Sequence, residues 1–346
     1  MRITALALSL GLACAGPSFA AEQRGEPTYA LSPDLTTAQH NCIVRLHDDI
    51  PSLEVEGRAH SLLKRANALN AAAGRANASL KYLYRHSIKG FTLDLPCDRA
   101  RAAFGDDADV MTFEPDGIMA ATKAKPGIVP EPVETTPWSV VRVGGPGDGT
   151  GRTAWIIDTG IDLANADLHI ETANAFSAFT DRRNAGYDDK NGHGTHVAGI
   201  VAAIDNDIDV VGVAAGATVV PVKVLDAAGS GTVATVADGI YYAVDHGAHV
   251  INLSLSGAGT SQTEADAVAY AHEHGVVVVC AAGNDYASGN DPQYPAAYAS
   301  TIAVGATRYD DARAWYSNTG SYLDIVAPGG DLSVDQNGDT YPDGVL

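Results

Sequence analysis

Asn191-Gly192-His193-Gly194-Thr195-His196-Val197-Ala198-Gly199 is the stretch on which the reading of this 346-residue chain turns. Beyond it Val197, Ile200, Val201 and Ile204 recur at helical spacing, which predicts a helix that enters a core and carries His193 at its mouth. Glycines on both sides let backbone approach a ligand with no Cβ in the way. The positive end of a helix dipole disfavours a permanently charged ring, so the imidazole starts neutral, as a general base must. A histidine near a helix start is more often a surface or packing residue, and its neighbours have to decide.

Two other stretches supply those neighbours. Thr153-Ala154-Trp155-Ile156-Ile157 is a short apolar run ending at Asp158-Thr159-Gly160, and Val276 to Ala282 is another, ending at Gly283-Asn284. Each reads as a buried strand with a polar group at its carboxyl end. In open parallel sheets reacting groups collect just beyond those ends, so Asp158, His193 and Asn284 can converge although far apart in sequence. A carboxylate, an imidazole and a carboxamide are the orienter, base and oxyanion donor of acyl transfer. With these motifs in this order, the chain from about Pro137 onward resembles the subtilisin-like serine proteases, the subtilase family.

The resemblance implies an α/β fold, a parallel sheet with helices on both faces, acting on polypeptide substrates. The pattern agrees: strands Val219 to Leu225 and Val250 to Leu255 alternate with a helix from Val233 to Asp245 closed by Gly247 and one from Ser261 closed by Gly275. By the same resemblance Gly229-Ser230-Gly231 offers an edge strand to an extended peptide and Ser254-Leu255-Ser256 faces it, so that recognition proceeds by strand addition. Ala281, Ala282 and Gly283 would line the pocket for the residue before the scissile bond, with Gln293 at its floor. A structural Ca2+ ion is also implied, held by Asp167, the Asn206 side chain and the carbonyls of Ile204, Ile208 and Val210, with Glu134 as a further ligand. Mixed carboxylate, amide and carbonyl oxygens suit a hard cation. The family has a glycine where Asp209 stands, which predicts a different bend. A separate run, Asp335-Gln336-Asn337-Gly338-Asp339 followed by Asp343, also spaces oxygen donors like a calcium loop, without the sixth-position Gly and the later Glu.

Ahead of this region the chain divides further. Residues 1–20 carry Arg2, an apolar run to Ala15 and Ser18-Phe19-Ala20, the pattern of a secretory signal and too short to span a bilayer. A lipoprotein anchor at Cys14 is disfavoured by Gly11. Export to the extracellular or periplasmic space follows. From Asn41 to Met119 the order is βαββαβ, a ferredoxin-like α+β unit. It resembles the inhibitor-type prodomain of subtilases in Tyr84-Arg85-His86-Ser87-Ile88-Lys89-Gly90-Phe91 and Glu114-Pro115-Asp116, which implies an intramolecular inhibitor whose tail rests in the cleft. The expected domains are a signal at 1–20, the prodomain at 21–122, a proline-rich linker at 123–136 and the partial catalytic domain at 137–346. Cys42 begins the first strand and Cys97 closely follows the third; those strands run side by side in this topology, so a disulfide between them is expected in an exported chain. Cys280, inside a valine run, reads as an inert core thiol. From Lys123 onward ten Lys and Arg stand against 28 Asp and Glu, a net −18 that argues against nucleic acid as a partner. A monomer is expected, with no membrane span.

One family motif is not found by Leu346. Gly-Thr-Ser with the nucleophile should follow Ala327-Pro328-Gly329. The Gly259-Thr260-Ser261 that is present precedes Glu264 and reads as a capping box opening a helix. The residues to Leu346 therefore hold base, orienter and oxyanion donor without an attacking group. The expectation is a secreted serine endopeptidase precursor truncated before its serine, inactive as this fragment, or else a non-catalytic, peptide-binding or self-inhibited product. Metal hydrolysis through His193 and His196 is disfavoured, because the spacing is i, i+3 with no adjacent Glu.

Overall fold

The computed structural model describes residues 40–85, 88–122, 134–181, 184–338 and 342–345. The expected signal at 1–20 and most of the linker, 123–133, lie outside the described residues.

The first unit has the expected order. Strands Leu80–Tyr84, Gly90–Leu93, Cys42–Leu46 and Val110–Pro115 lie in that spatial sequence, every pair antiparallel, with helices Val55–Ala72 and Cys97–Phe104. Alternation in the central strand builds two faces. Cys42, Val44 and Leu46 pack with Leu62, Phe91, Leu93 and Phe104 into the unit's own core. Ile43, with Tyr84 and Ile88, joins instead a cluster containing Val233, Ala234, Ala237 and Tyr241 of the following body. A sheet buried on both faces binds the two units together. Cys42 stands opposite Leu93, which brings the following Cys97 within reach, and the two form the expected disulfide with Cα atoms 4.9 Å apart.

The body is built on an eight-stranded sheet. Its main path runs Ile325–Pro328, Ile302–Thr307, Val277–Ala281, Val250–Leu253, Thr153–Asp158, Thr218–Lys223 and His169–Ile170, while Phe176–Ser177 pairs with Thr218–Lys223 off that path. All of these pairs are parallel. Trp155 and Ile157 turn toward the helices Val233–Asp245 and Gln262–Glu273, and Ile156 toward helix His193–Ala202 through Val197 and Ala198. Helices on both faces follow from that alternation, as expected. After Thr153–Asp158 the chain builds first to one side of that strand and later to the other, so the switch point of the sheet falls at the carboxyl end that carries Asp158.

Two local readings need amendment. The capping box at Ser261 forms only by half: Ser261 Oγ accepts from the Glu264 amide at 3.1 Å, but the Ser261 amide donates to Tyr298 Oη at 2.8 Å in place of the glutamate. Asp209, where a different bend was expected, has φ 47°, the left-handed region that glycine enters freely and aspartate tolerates.

Candidate active site

Asp158 ends its strand fully buried, and its Oδ1 accepts from the Thr159 amide at 2.7 Å and lies 2.7 Å from His193 Nδ1. The carboxylate selects the tautomer with the proton on Nδ1 and leaves Nε2 bare for proton transfer. His193 is the first residue of its helix, and its side chain is 10 % exposed. The ring is thus nine-tenths buried and held by a buried carboxylate.

Asp189, which sequence reasoning passed over as one of many acids, organises the helix mouth. Gly192 has φ 97° and offers no side-chain cap. Asp189 Oδ1 accepts from the amides of Asn191 (2.8 Å) and Gly192 (2.9 Å), and Oδ2 from the amide and hydroxyl of Thr195 (3.1 and 2.7 Å). Burial works against its charge, but these bonds hold the carboxyl below the usual range. Thr159 closes the circuit by donating its hydroxyl to Asp189 at 3.0 Å and accepting the Gly194 amide at 2.9 Å. An aspartate four residues before the histidine was the available signal. Lys223, fully buried and opposite Asp158 in the parallel register, donates to the Thr159 carbonyl, and burial pushes its pKa down.

The two expected walls face each other across a third strand. Ile118–Ala121 lies antiparallel between Ser230–Thr232 and Leu255–Ala258, with Ser230 opposite Ala120, Gly231 opposite Met119 and Leu255 opposite Ala121. Ala121 donates to the Gly229 carbonyl at 2.8 Å; Thr122 donates its amide (3.1 Å) and hydroxyl (2.9 Å) to the Ser254 carbonyl. The carbonyl oxygen of Thr122 lies 3.3 Å from His193 Nε2. Sequence reading placed no strand here, because Ile-Met-Ala-Ala has no alternation to report.

Asn284 follows the left-handed Gly283 (φ 104°) at the end of strand Val277–Ala281, half-buried, at the same carboxyl edge of the sheet as Asp158. Ala281 and Ala282 precede it. A Cβ built on Gly283 would meet the Gln293 side chain at 2.4 Å, so Gln293, itself buried, presses on the expected pocket. Ser256 pairs with Ala120 on the facing wall. His196 sits on the helix with its pKa lowered by burial and by His193.

The expected cation ligands lie close together. Asp167 is buried, and its Oδ1 accepts from Asn206 Nδ2 (3.0 Å) and the Ile204 amide (3.2 Å). Glu134 accepts from the Asn206 amide at 2.7 Å, and Ile208 donates its amide to Asn206 Oδ1 at 3.0 Å. Thr135 bridges Val210 in parallel and pins the chain leaving the linker onto this loop. Burial raises the Asp167 pKa, with nearby Asp209 adding to the effect; a carboxyl so placed fits a hard cation, whose charge would relieve both.

The Subtilase family model matches residues 149–343. Subtilisin E of Bacillus subtilis (strain 168) is 33 % identical over 291 residues, 82 % of this chain and 71 % of that protein. Subtilisin Savinase of Lederbergia lenta is 42 % identical over 214 residues, 60 % of this chain and 77 % of that protein; M-protease of Shouchella clausii (strain KSM-K16) is 39 % identical over 242 residues, 68 % and 61 % respectively. On the strength of the matched domain and of relatives aligned along most of their length, the chain belongs to the subtilase family.

Proposed function

We propose that this chain is the exported, calcium-stabilised precursor of a serine endopeptidase, with residues 21–122 as its inhibitory prodomain, 123–136 as linker and 137–346 as catalytic-domain sequence. The observation that carries the reading is the path of residues 118–122: an extended segment paired on both sides, its last carbonyl presented to the ring held by Asp158. In this reading Thr122 stands where a substrate presents the residue before its scissile bond, and maturation cuts after it. Backbone pairing with Gly229, Ser230 and Gly231 on one side and Ser254, Leu255 and Ser256 on the other aligns any peptide, whatever its side chains.

Peptide-bond cleavage proceeds by attack of a serine hydroxyl on the carbonyl. The attacking hydroxyl belongs to the family motif expected after Gly329. His193 takes its proton at Nε2, Asp158 stabilises the resulting imidazolium, and Asn284 donates to the oxyanion. Bound calcium would supply only charge compensation, at Asp167, Asn206 and Glu134 with the carbonyls of Ile204, Ile208 and Val210. The second reading, a self-inhibited peptide-binding product, draws on the same occupied cleft.

The test expresses the gene with its coding sequence beyond Leu346 and assays casein. The expected result is turnover that Asp158→Asn lowers by about 10⁴-fold in kcat. A stop codon at this point would favour the peptide-binding reading, and turnover that withstands both Asp158→Asn and His193→Ala would overturn the mechanism assigned to that pair.

A further inference from the structure

The run around Asp335 spaces its oxygen donors like a calcium loop, and the structure adds to it Asp331, which lies outside that spacing. Asp331 and Asp343 face each other as an antiparallel bridge pair, with the Asp331 amide donating to the Asp343 carbonyl at 2.8 Å. Directly opposed residues of an antiparallel pair put their side chains on one side, within about 5 Å at Cβ, where like charges repel. Both side chains are also taken out of water: Asp331 is 5 % and Asp343 2 % exposed. Asp343 Oδ2 accepts from the Gln336 amide, so the carboxylate faces the 335–338 turn, but its buried Oδ1 has no hydrogen-bond partner. Asp331 Oδ1 accepts from the amide and hydroxyl of Ser333 at 3.0 and 2.6 Å. Among the described residues neither carboxylate makes an ion pair.

Two opposed buried carboxylates with an orphaned oxygen and no cationic side chain are costly unless another charge arrives. Tyr316 does not bring one: its phenol donates to the Gly330 carbonyl at 3.2 Å, and burial with Asp331 nearby pushes its pKa up. We propose that the Asp331–Asp343 turn is a second structural site for a divalent cation of the calcium class, with Asp331 and Asp343 supplying the anionic ligands and the Asp335 to Asn337 turn neutral oxygens. The site is separate from the one at Asp167. Its structural consequence lies next door, where Trp138 Nε1 donates to the Gly344 carbonyl at 2.8 Å: an ion there ties the chain at Asp331 and Asp343 to helix Trp138–Arg142.

The test uses the whole chain in calcium titrations and in thermal unfolding, each run in chelator and in millimolar calcium, on the parent and on Asp343→Asn, Asp331→Asn and Asn206→Ala. Asp343→Asn should bind one ion fewer than the parent, or bind it at least tenfold more weakly. Its unfolding midpoint should lie above the parent in chelator, where a repulsion has been removed, and below it in calcium, where a ligand has been lost. Asn206→Ala should still bind an ion that raises its midpoint; that arm works even if both aspartate variants fail to fold, and it separates this site from the Asp167 reading. Full stoichiometry and affinity in Asp343→Asn, the same sign of shift with and without calcium, or a pair that responds to pH and never to calcium because it shares a proton, would each overturn the proposal.

Discussion

Met119 gives the sharpest test of how the segment before Thr122 is held. Its side chain is 2 % exposed and packs where a Cβ on Gly257 would come within 2.6 Å of its sulfur, so the pocket has no slack on that side. Replacing Met119 by alanine removes a desolvated thioether from between two walls that are themselves fixed by the main sheet. The transfer and cavity costs for such a truncation come to about 2–3 kcal/mol. At 1.4 kcal/mol per decade, the local opening equilibrium of the 118–122 strand should rise by about 30- to 150-fold. Amide hydrogen exchange reads this directly, because Ala121 and Thr122 donate to the Gly229 and Ser254 carbonyls, and Val233 donates to the Gly117 carbonyl at 2.9 Å. These three amides should lose protection by that factor while Ile157, in the centre of the main sheet, keeps its own. Protection at Ala121 within threefold of the parent would refute the claim that Met119 anchors the tail. Equal loosening at Ile157 would show that Met119 supports the whole core instead.

Other consequences are as direct. The Cys42–Cys97 bond closes a loop with a sequence separation of 55, for which the chain-entropy estimate is about 4 kcal/mol; replacing both cysteines by serine should lower the denaturation midpoint of the first unit, and an unchanged midpoint would count against a stabilising bond. Cys280 is buried with its thiol pKa pushed well up, so native alkylation should leave it unmodified, and alkylation of the unfolded, unreduced chain should label it while sparing Cys42 and Cys97. Burial lifts the carboxyls of Asp116 and Asp238 to about 7 and that of Glu264 to about 8. Folded-state values above the unfolded ones mean that the native state holds protons the unfolded chain releases; their stabilisation is full below about pH 4 and is lost as pH rises through 7 to 8. Denaturant unfolding at pH 5 and pH 8 should show the chain weaker at the higher pH, with Asp116→Asn flattening that slope; a chain that strengthens from pH 5 to 8 would contradict the assignment.

What the sequence made legible, and what it left hidden, divides by the kind of force involved. Strand Thr153–Asp158 and helix Val233–Asp245 could be read to the residue at one or both ends, because each is a run of apolar residues buried on nearly every side and stopped by an aspartate. The disulfide was legible because antiparallel pairing of Cys42–Leu46 with Gly90–Leu93 is itself written in alternation. Strand Ile118–Ala121 was not legible. It has no period of its own and is extended because the backbone groups of two neighbouring walls stand open on either side of it. Asp189 was hidden for a related reason: its role comes from five hydrogen bonds received, four of them at a left-handed helix entry, and in an acid-rich loop its place four residues before His193 is the only mark of the carboxylate that turns inward.

That division bears on how the cleft selects its occupant. The walls hold residues 118–122 chiefly through main-chain bonds, so affinity at this edge is indifferent to most side chains, and register must be set by the few positions that are not. Met119 is one, wedged against Gly257 and opposite Gly231, where a Cβ would strike the Val224 carbonyl at 2.3 Å. A slip of one residue would turn the Met119 side chain to the other face of the strand and move the Thr122 carbonyl away from His193. The distance between Met119 and Thr122 along the strand is therefore what brings the Thr122 carbonyl up to the Asp158–His193 pair.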